Sequence, residues 1–275
     1  MKKEKELVKD MKTVMERVQE HYDEALEYFP EDRIVGIFLQ GSQNYGLEIP
    51  SSDVDTKLIV VPTFEEIAFN HKAHSTTHVR ENDEHIDFKD IRLMLGTFRK
   101  QNLNFLEILF TPYKILNPKY AEEWMRLEAK REKIAHYNKF AAVKAMKGVA
   151  LEKYHAMEHR YPAKIEIIDK MGYDPKQLHH LLRVEDYLRR YIAGESYEKC
   201  LRPSDPEYLK QVKLGLYTLD EARAHADASL ANIEDMCLPF TKESEYNQSD
   251  ASVDALLDDV QLNIMRDAIK MELEK

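Results

Sequence analysis

Apolar positions recur at three- and four-residue intervals through the first part of the chain: Leu7, Met11, Val14, Met15, Val18, Tyr22, Ala25, Leu26 and Phe29. That spacing draws one apolar stripe along a helix covering residues 3–29. The period then shortens. RIVGIFLQ (33–40) is a compact apolar run with β-branched residues and predicts a buried strand. DVDTKLIVV (53–61) predicts a second strand that Pro62 ends. Thr63 followed by Glu66 is a capping-box pattern for a short helix. Residues 74–89 predict one or two further strands, and 90–101 a helix with Asp90 as its N-cap. NFLEILFTP is apolar, reads as core, and stops at Pro112.

Beyond about residue 118 the helical period persists almost to the end, over 119–132, 136–158, 174–193, 204–214, 218–236 and 250–273. The helix at 174–193 is well punctuated: Asp174 at the N-cap, Pro175 at the first helical position, Gly194 just past the end. The expected fold class is therefore α+β. A small mixed sheet flanked by helices fills residues 1–115, and an all-helical domain fills 116–275.

Composition narrows the function classes. Gly (8) and Pro (10) are scarce among 275 residues, which argues against long disordered linkers. Two cysteines, Cys200 and Cys237, are too few for a disulfide framework or a cysteine zinc site. The charged N-terminus lacks an apolar h-region and no apolar run is long enough to span a bilayer, so a cytoplasmic protein is expected. A formal net charge of −10 weighs against a general nucleic-acid binder. A polyanionic ligand would then need metal cations or a few placed Lys and Arg.

The chemistry concentrates in GSQNYGLEIPSSDVD (41–55). Gly41 removes the Cβ at the turn after the first strand, Ser42 adds a hydroxyl donor, and the N–H groups of that turn are suited to an anion. It is not a Walker A loop, because no Gly-Lys-Ser/Thr follows. Asp53 and Asp55 share one face of a strand, where two like charges repel unless a cation lies between them. Mg²⁺ favours such carboxylate oxygens and keeps positions for water and phosphate. Asp87, a lone acid between Ile86 and Phe88, is the candidate third carboxylate; Glu84 fits a turn and Asp90 a helix cap.

Gly41-Ser42, Gly46 and Ser52-Asp53-Val54-Asp55, followed by Asp87, resemble the polymerase-β-type nucleotidyltransferase superfamily. GSQNYGLEIPSSDVDTKLIVVP, NFLEILFTP and YDPKQLHHLLRVEDYLRRYIAGE are similar to a group of predicted nucleotidyltransferases of bacteria and their phages, over about residues 33–195. The resemblance implies transfer of a nucleoside monophosphate from an NTP, ATP foremost, to an acceptor nucleophile, with Mg²⁺ or Mn²⁺ and release of pyrophosphate. It implies that Asp53, Asp55 and Asp87 hold two metal ions and that Gly41 and Ser42 hold the triphosphate. The similar helix in that group carries Lys, His and Arg, and here Lys176, His180 and Arg183 share one helix face. Lys176 and Arg183 are accordingly expected to contact the nucleotide.

Lys57 departs from the small apolar stretch that usually follows the second Asp. It falls on the aspartate face, either against phosphate or damping the site. Asn44 and Tyr45 suit base or sugar contact or simple turn packing; Glu107 is either a buried acid or a partner for a cation. The patch at 154–164 reads as a solvated helix end, and His71, His74 and His78 are too irregularly spaced for zinc. The acceptor stays open between an RNA end, a protein hydroxyl, a small molecule and a second nucleotide, as do the base and the oligomeric state. The alternative is a catalytically silent nucleotide-binding partner of a regulatory or toxin–antitoxin kind.

Overall fold

A computed structural model describes residues 13–50 and 52–274. It is α+β and resolves into two compact units. One takes the described chain up to Asn44, Pro50–Tyr137 and the stretch from Ser249 onward; the other takes Tyr45–Ile49 and Asn138–Gln248.

The first unit opens with α1 (Val14–Ala25), whose N-cap Thr13 and Glu16 form a capping box. The residues before Thr13 in the helix expected over 3–29 lie outside the described residues. Among the described residues the sheet has five strands: β1 (Ile34–Gln40), β2 (Asp55–Val60), β3 (Ser75–Val79), β4 (His85–Asp90) and β5 (Lys114–Leu116). Their order is β3-β4-β2-β1-β5. Only β2 and β4 run parallel; β1 meets β2 and β5 antiparallel, and β3 meets β4 antiparallel. The apolar runs read in the sequence are the central strands, because every residue of β1 except Gln40 is buried, as is every residue of β2 except Asp55. Val18, Tyr22, Ala25 and Phe29 pack from the α1 side against Ile37, Leu39, Leu58, Ile86 and Phe88. On the other face Phe38 meets Trp124, ring centroids 4.4 Å apart.

Short helices join these strands: α2 (Phe64–Ala68), with the expected Thr63–Glu66 capping box, α3 (Ile91–Arg99), capped by Asp90, and α4 (Leu103–Leu106). Helices α5 (Ala121–Glu128) and α6 (Arg131–Ala135) complete this stretch.

The second unit holds α7 (Lys139–Ala156), α8 (Ile165–Met171), α9 (Pro175–Ile192), α10 (Tyr197–Leu201), α11 (Pro206–Lys213) and α12 (Leu219–Cys237). Helix α9 has the punctuation read from the sequence: Asp174 accepts from the Lys176 N–H, Pro175 opens the helix, and Gly194 lies just past it at φ +91°. The last helix, α13 (Ala251–Leu273), returns to the first unit. Among the described residues no helix is long and apolar enough to cross a membrane.

Candidate active site

The end of β1 sets the first part of the site. Gly41 follows Gln40 at φ +93°, a backbone conformation that L side chains rarely adopt. Ser42–Asn44 then form one 3₁₀ turn. Asn44 closes it by donating its side-chain amide to the Leu39 carbonyl at 3.0 Å, and accepts from the Thr111 hydroxyl at 2.7 Å. The Gly41 N–H donates to Oε1 of the buried Glu107 at 3.1 Å. Glu107 is buried, and it engages one of the turn's N–H groups. A Cβ built on Gly41 would meet nothing within 4 Å, so there is open space beside the turn.

Register brings the carboxylates to this turn. Asp55 pairs with Gln40 across β1 and β2, and Lys57 pairs with Asp87 across β2 and β4. Residues two apart on a strand face the same way, so Asp55, Lys57, His85, Asp87 and Lys89 share one face of the sheet. Asp55 Oδ1 accepts from the His85 N–H at 3.0 Å and contacts His85 Nδ1 at 3.1 Å. Asp87 Oδ1 accepts from the Thr77 hydroxyl at 2.6 Å, while Oδ2 accepts from Lys57 Nζ at 3.0 Å and from the Gln40 amide at 3.4 Å. Burial raises the Asp87 pKa, but Lys57 and these hydrogen bonds outweigh it and hold the carboxyl below its ordinary value. Lys57 is only 3% exposed and lies 4.3 Å from the centroid of the Phe105 ring. It is on the aspartate face, where the alternation placed it, and its partner is Asp87.

Asp53 lies just ahead of β2 rather than within it, since the strand starts at Asp55 and not at residue 53. The cause is Glu84, which accepts the Val54 N–H on Oε1 at 3.3 Å and so diverts it from the strand ladder. Glu84 is fully buried, ion-paired to Arg17 and, at 3.0 Å, to Arg80. It also accepts from Asn82 at 2.8 Å and meets His21 Nε2 at 3.0 Å. His21 in turn meets the Thr56 hydroxyl at 2.9 Å, and burial pushes its pKa down to about 3. Burial also lowers the Arg17 pKa, opposed first by the charge of Asp53 and more weakly by that of Asp55. A buried charge needs such partners. The sequence reading put Glu84 in a turn and missed this role; Glu84 begins no periodic pattern, and its partners come from α1, from Val54 and from the turn at 80–82.

Lys176, His180 and Arg183 belong to the helical unit. Lys176 is exposed in the first turn of α9. Burial, together with His179, Arg183 and Lys176, drives the His180 pKa well below its ordinary value. Arg183 is buried, and its guanidinium lies 3.6 Å from the centroid of the Tyr45 ring. That stack fastens the Tyr45–Ile49 segment to α9, with Leu47 packed beside Leu209.

Among the described residues no three His, Cys, Asp or Glu side chains form a ready-made metal cage. Mg²⁺ does not require one, because it binds through one or two carboxylates with water and phosphate oxygens completing the shell. Asp53, exposed, and Asp55, partly exposed and paired with Gln40 just before the Gly41 turn, offer hard oxygens of that kind and fit a divalent ion. Asp87 has both oxygens engaged by donors.

A glycine-serine turn beside a pair of strand-end aspartates on a small mixed sheet defines a polymerase-β-type nucleotidyltransferase. The sequence profile of the RNA repair pathway DNA polymerase beta family (RlaP) matches residues 10–185, and the chain belongs to that family. Among solved structures, a nucleotidyltransferase-like protein from Exiguobacterium sibiricum 255-15 is 12% identical, over 92% of this chain and 80% of that one, with a TM-score of 0.29. A likeness that remote carries no argument about the site. No curated protein matches the chain in sequence.

Proposed function

We propose that the protein transfers a nucleoside monophosphate from an NTP, ATP foremost, to the hydroxyl of an RNA end. One observation supports this reading: the β1–β2 register sets Asp55 beside Gln40, the residue that runs into the Gly41-Ser42 turn. The RNA acceptor rests on the family's name alone.

In this reading Gly41 gives the triphosphate backbone access at the turn, and Ser42 donates its hydroxyl to a phosphate oxygen. Asp53 and Asp55 would hold Mg²⁺, or Mn²⁺ in its place. When bound there, the ion supplies positive charge against the charge that builds on the transferring phosphoryl group. Asp87, one strand further, faces the acceptor side as the third carboxylate. The acceptor oxygen forms a bond to the α-phosphorus. The bond from that phosphorus to the oxygen bridging to the β-phosphate breaks, and pyrophosphate leaves with the electron pair. The hydroxyl proton passes to water. Glu84 keeps the Asp53–Asp55 segment in place through the Val54 N–H.

The test is incubation with each α-labelled NTP, Mg²⁺ or Mn²⁺, and RNA bearing a free 3′-hydroxyl. Label on the RNA, with pyrophosphate released, is the expected result, and Asp53→Asn and Asp55→Asn should each abolish it while leaving the fold intact. Pyrophosphate release with label on another molecule of a cell lysate would replace the acceptor and keep the chemistry. Nucleotide binding with no pyrophosphate under any condition would return the protein to the silent, regulatory alternative.

A further inference from the structure

Among the described residues of the site face, Asp87 is the carboxylate whose neighbour across the strands is a lysine. Its Oδ2 is 3.0 Å from Lys57 Nζ, and its Oδ1 takes the Thr77 hydroxyl at 2.6 Å. The ammonium is not a surface charge that drifts in and out. Lys57 is 3% exposed, sits opposite Phe38 in the β1–β2 register, and has its Nζ over the Phe105 ring at 4.3 Å. A second ammonium, that of Lys89, lies 5.5 Å from the same ring and bonds the Ser75 hydroxyl. A desolvated cation over an aromatic face and against a carboxylate is held from both sides.

A divalent ion bound through Asp87 would lie about 2 Å from the carboxylate oxygen. It would then stand within a few ångströms of Lys57, with Lys89 near by, at a site only partly open to water. Expelling Lys57 would leave a buried ammonium without its partner, which is costly. The two cations therefore compete for one carboxylate, and the one built into the chain is already seated.

We propose that Lys57 is the resident cation of the third carboxylate: it occupies the position at Asp87 that a second divalent ion would need, so that Asp53 and Asp55 alone bind metal. The inference rests on the nucleotidyl-transfer reading for the role of the aspartate pair. Its own content is narrower: the number of ions is set by Lys57. Thr77 and Gln40 complete the arrangement by holding Asp87 toward the lysine.

The experiment counts Mn²⁺ bound per chain, by the electron paramagnetic resonance of free Mn²⁺ during titration of the nucleotide-free protein, with circular dichroism as the check on folding. Lys57→Met keeps a stem to pack on Phe105 and removes the charge. It is expected to bind one more Mn²⁺ than the wild type, and Lys57→Met/Asp87→Asn to lose that additional ion. Equal numbers in wild type and Lys57→Met would overturn the proposal. Should Lys57→Met not fold, Asp87→Asn decides: the wild-type number supports the proposal, and loss of an ion overturns it. Asp55→Asn reads the other question separately. If it binds Mn²⁺ as the wild type does, the aspartate pair is not the metal site, whatever Lys57→Met shows.

Discussion

Arg183 and Lys176 share a face of α9 yet have different surroundings. Arg183 is 8% exposed, with its guanidinium stacked on Tyr45, whereas Lys176 is exposed. A desolvated cation–π contact contributes about 2 kcal/mol, and the buried arginine stem adds packing. Arg183→Ala is therefore expected to lower the unfolding temperature measurably even without ligand. Lys176→Ala should leave thermal unfolding unchanged and weaken NTP binding by roughly ten- to a hundred-fold, as loss of a charge-assisted contact does. Parallel thermal melts and nucleotide titrations check both. An unchanged NTP affinity in Lys176→Ala returns that lysine to an ordinary solvated helix face. At Gly41 the room for a side chain is open but φ is +93°, so any loss on Gly41→Val begins as backbone strain of order 1 kcal/mol or more.

Between elements, His179 joins α9 to α11: its Nδ1 donates to the Leu209 carbonyl at 2.8 Å. Burial is the main cause that takes its pKa down to about 4, with Arg183, Lys213 and Lys176 adding to the shift against the Leu209 hydrogen bond. The unfolded chain titrates near 6.5, so between about pH 6.5 and 4 it binds a proton that the folded chain does not. Stability is fully present above 6.5 and falls as the pH drops through that window, by up to about 3 kcal/mol for this group. His21, pushed to about 3, adds a loss of the same sign in the first unit. Denaturant melts of wild type and His179→Gln from pH 8 to 4 should show a shallower acid slope in the variant; equal slopes would return His179 to a residue of ordinary titration. Neither link was visible in the sequence. What was legible at this scale is what local chemistry decides alone: the apolar runs of β1 and β2, the Thr63–Glu66 box, the Asp90 and Asp174 caps and Pro175 at a first turn. What was not legible depends on partners far away in the chain, such as Glu84 on Val54, Glu107 on Gly41, Lys57 against Asp87 and Arg183 over Tyr45. A period of two gives the face of Lys57 but says nothing about which strand lies beside it.

Over the whole molecule, the chain leaves the sheet unit after Tyr137 and returns to it at Ser249. Helical periodicity marks residues 250–273 as a helix but does not distinguish the helical half from the sheet as its support. The contacts do. Val253, Leu257, Val260 and Ile264 are buried at helical spacing, and Arg99 of α3 bonds Asp254 at 2.8 Å and Asp258 at 2.5 Å. Tyr137 donates to Asp254 at 2.9 Å, and the Phe64 N–H to Glu272 at 2.8 Å. Burying four such apolar side chains is worth at most about 6–12 kcal/mol at about 1.5–3 kcal/mol each, an upper bound because the unfolded chain already hides some of that area. Total stabilities of about 5–15 kcal/mol are of the same size. A chain ended after Gln248 is therefore expected to lose the cooperative melt of the sheet unit and to expose an apolar face that binds a hydrophobic dye, although every strand and every candidate catalytic residue is retained. Adding back a peptide of residues 249–275 should restore part of the melt, because the helix carries its own N-cap at Asp250, which accepts from the Ser252 N–H at 2.9 Å. A truncated chain that melts at the wild-type temperature would show that α13 lies on the sheet unit without supporting it.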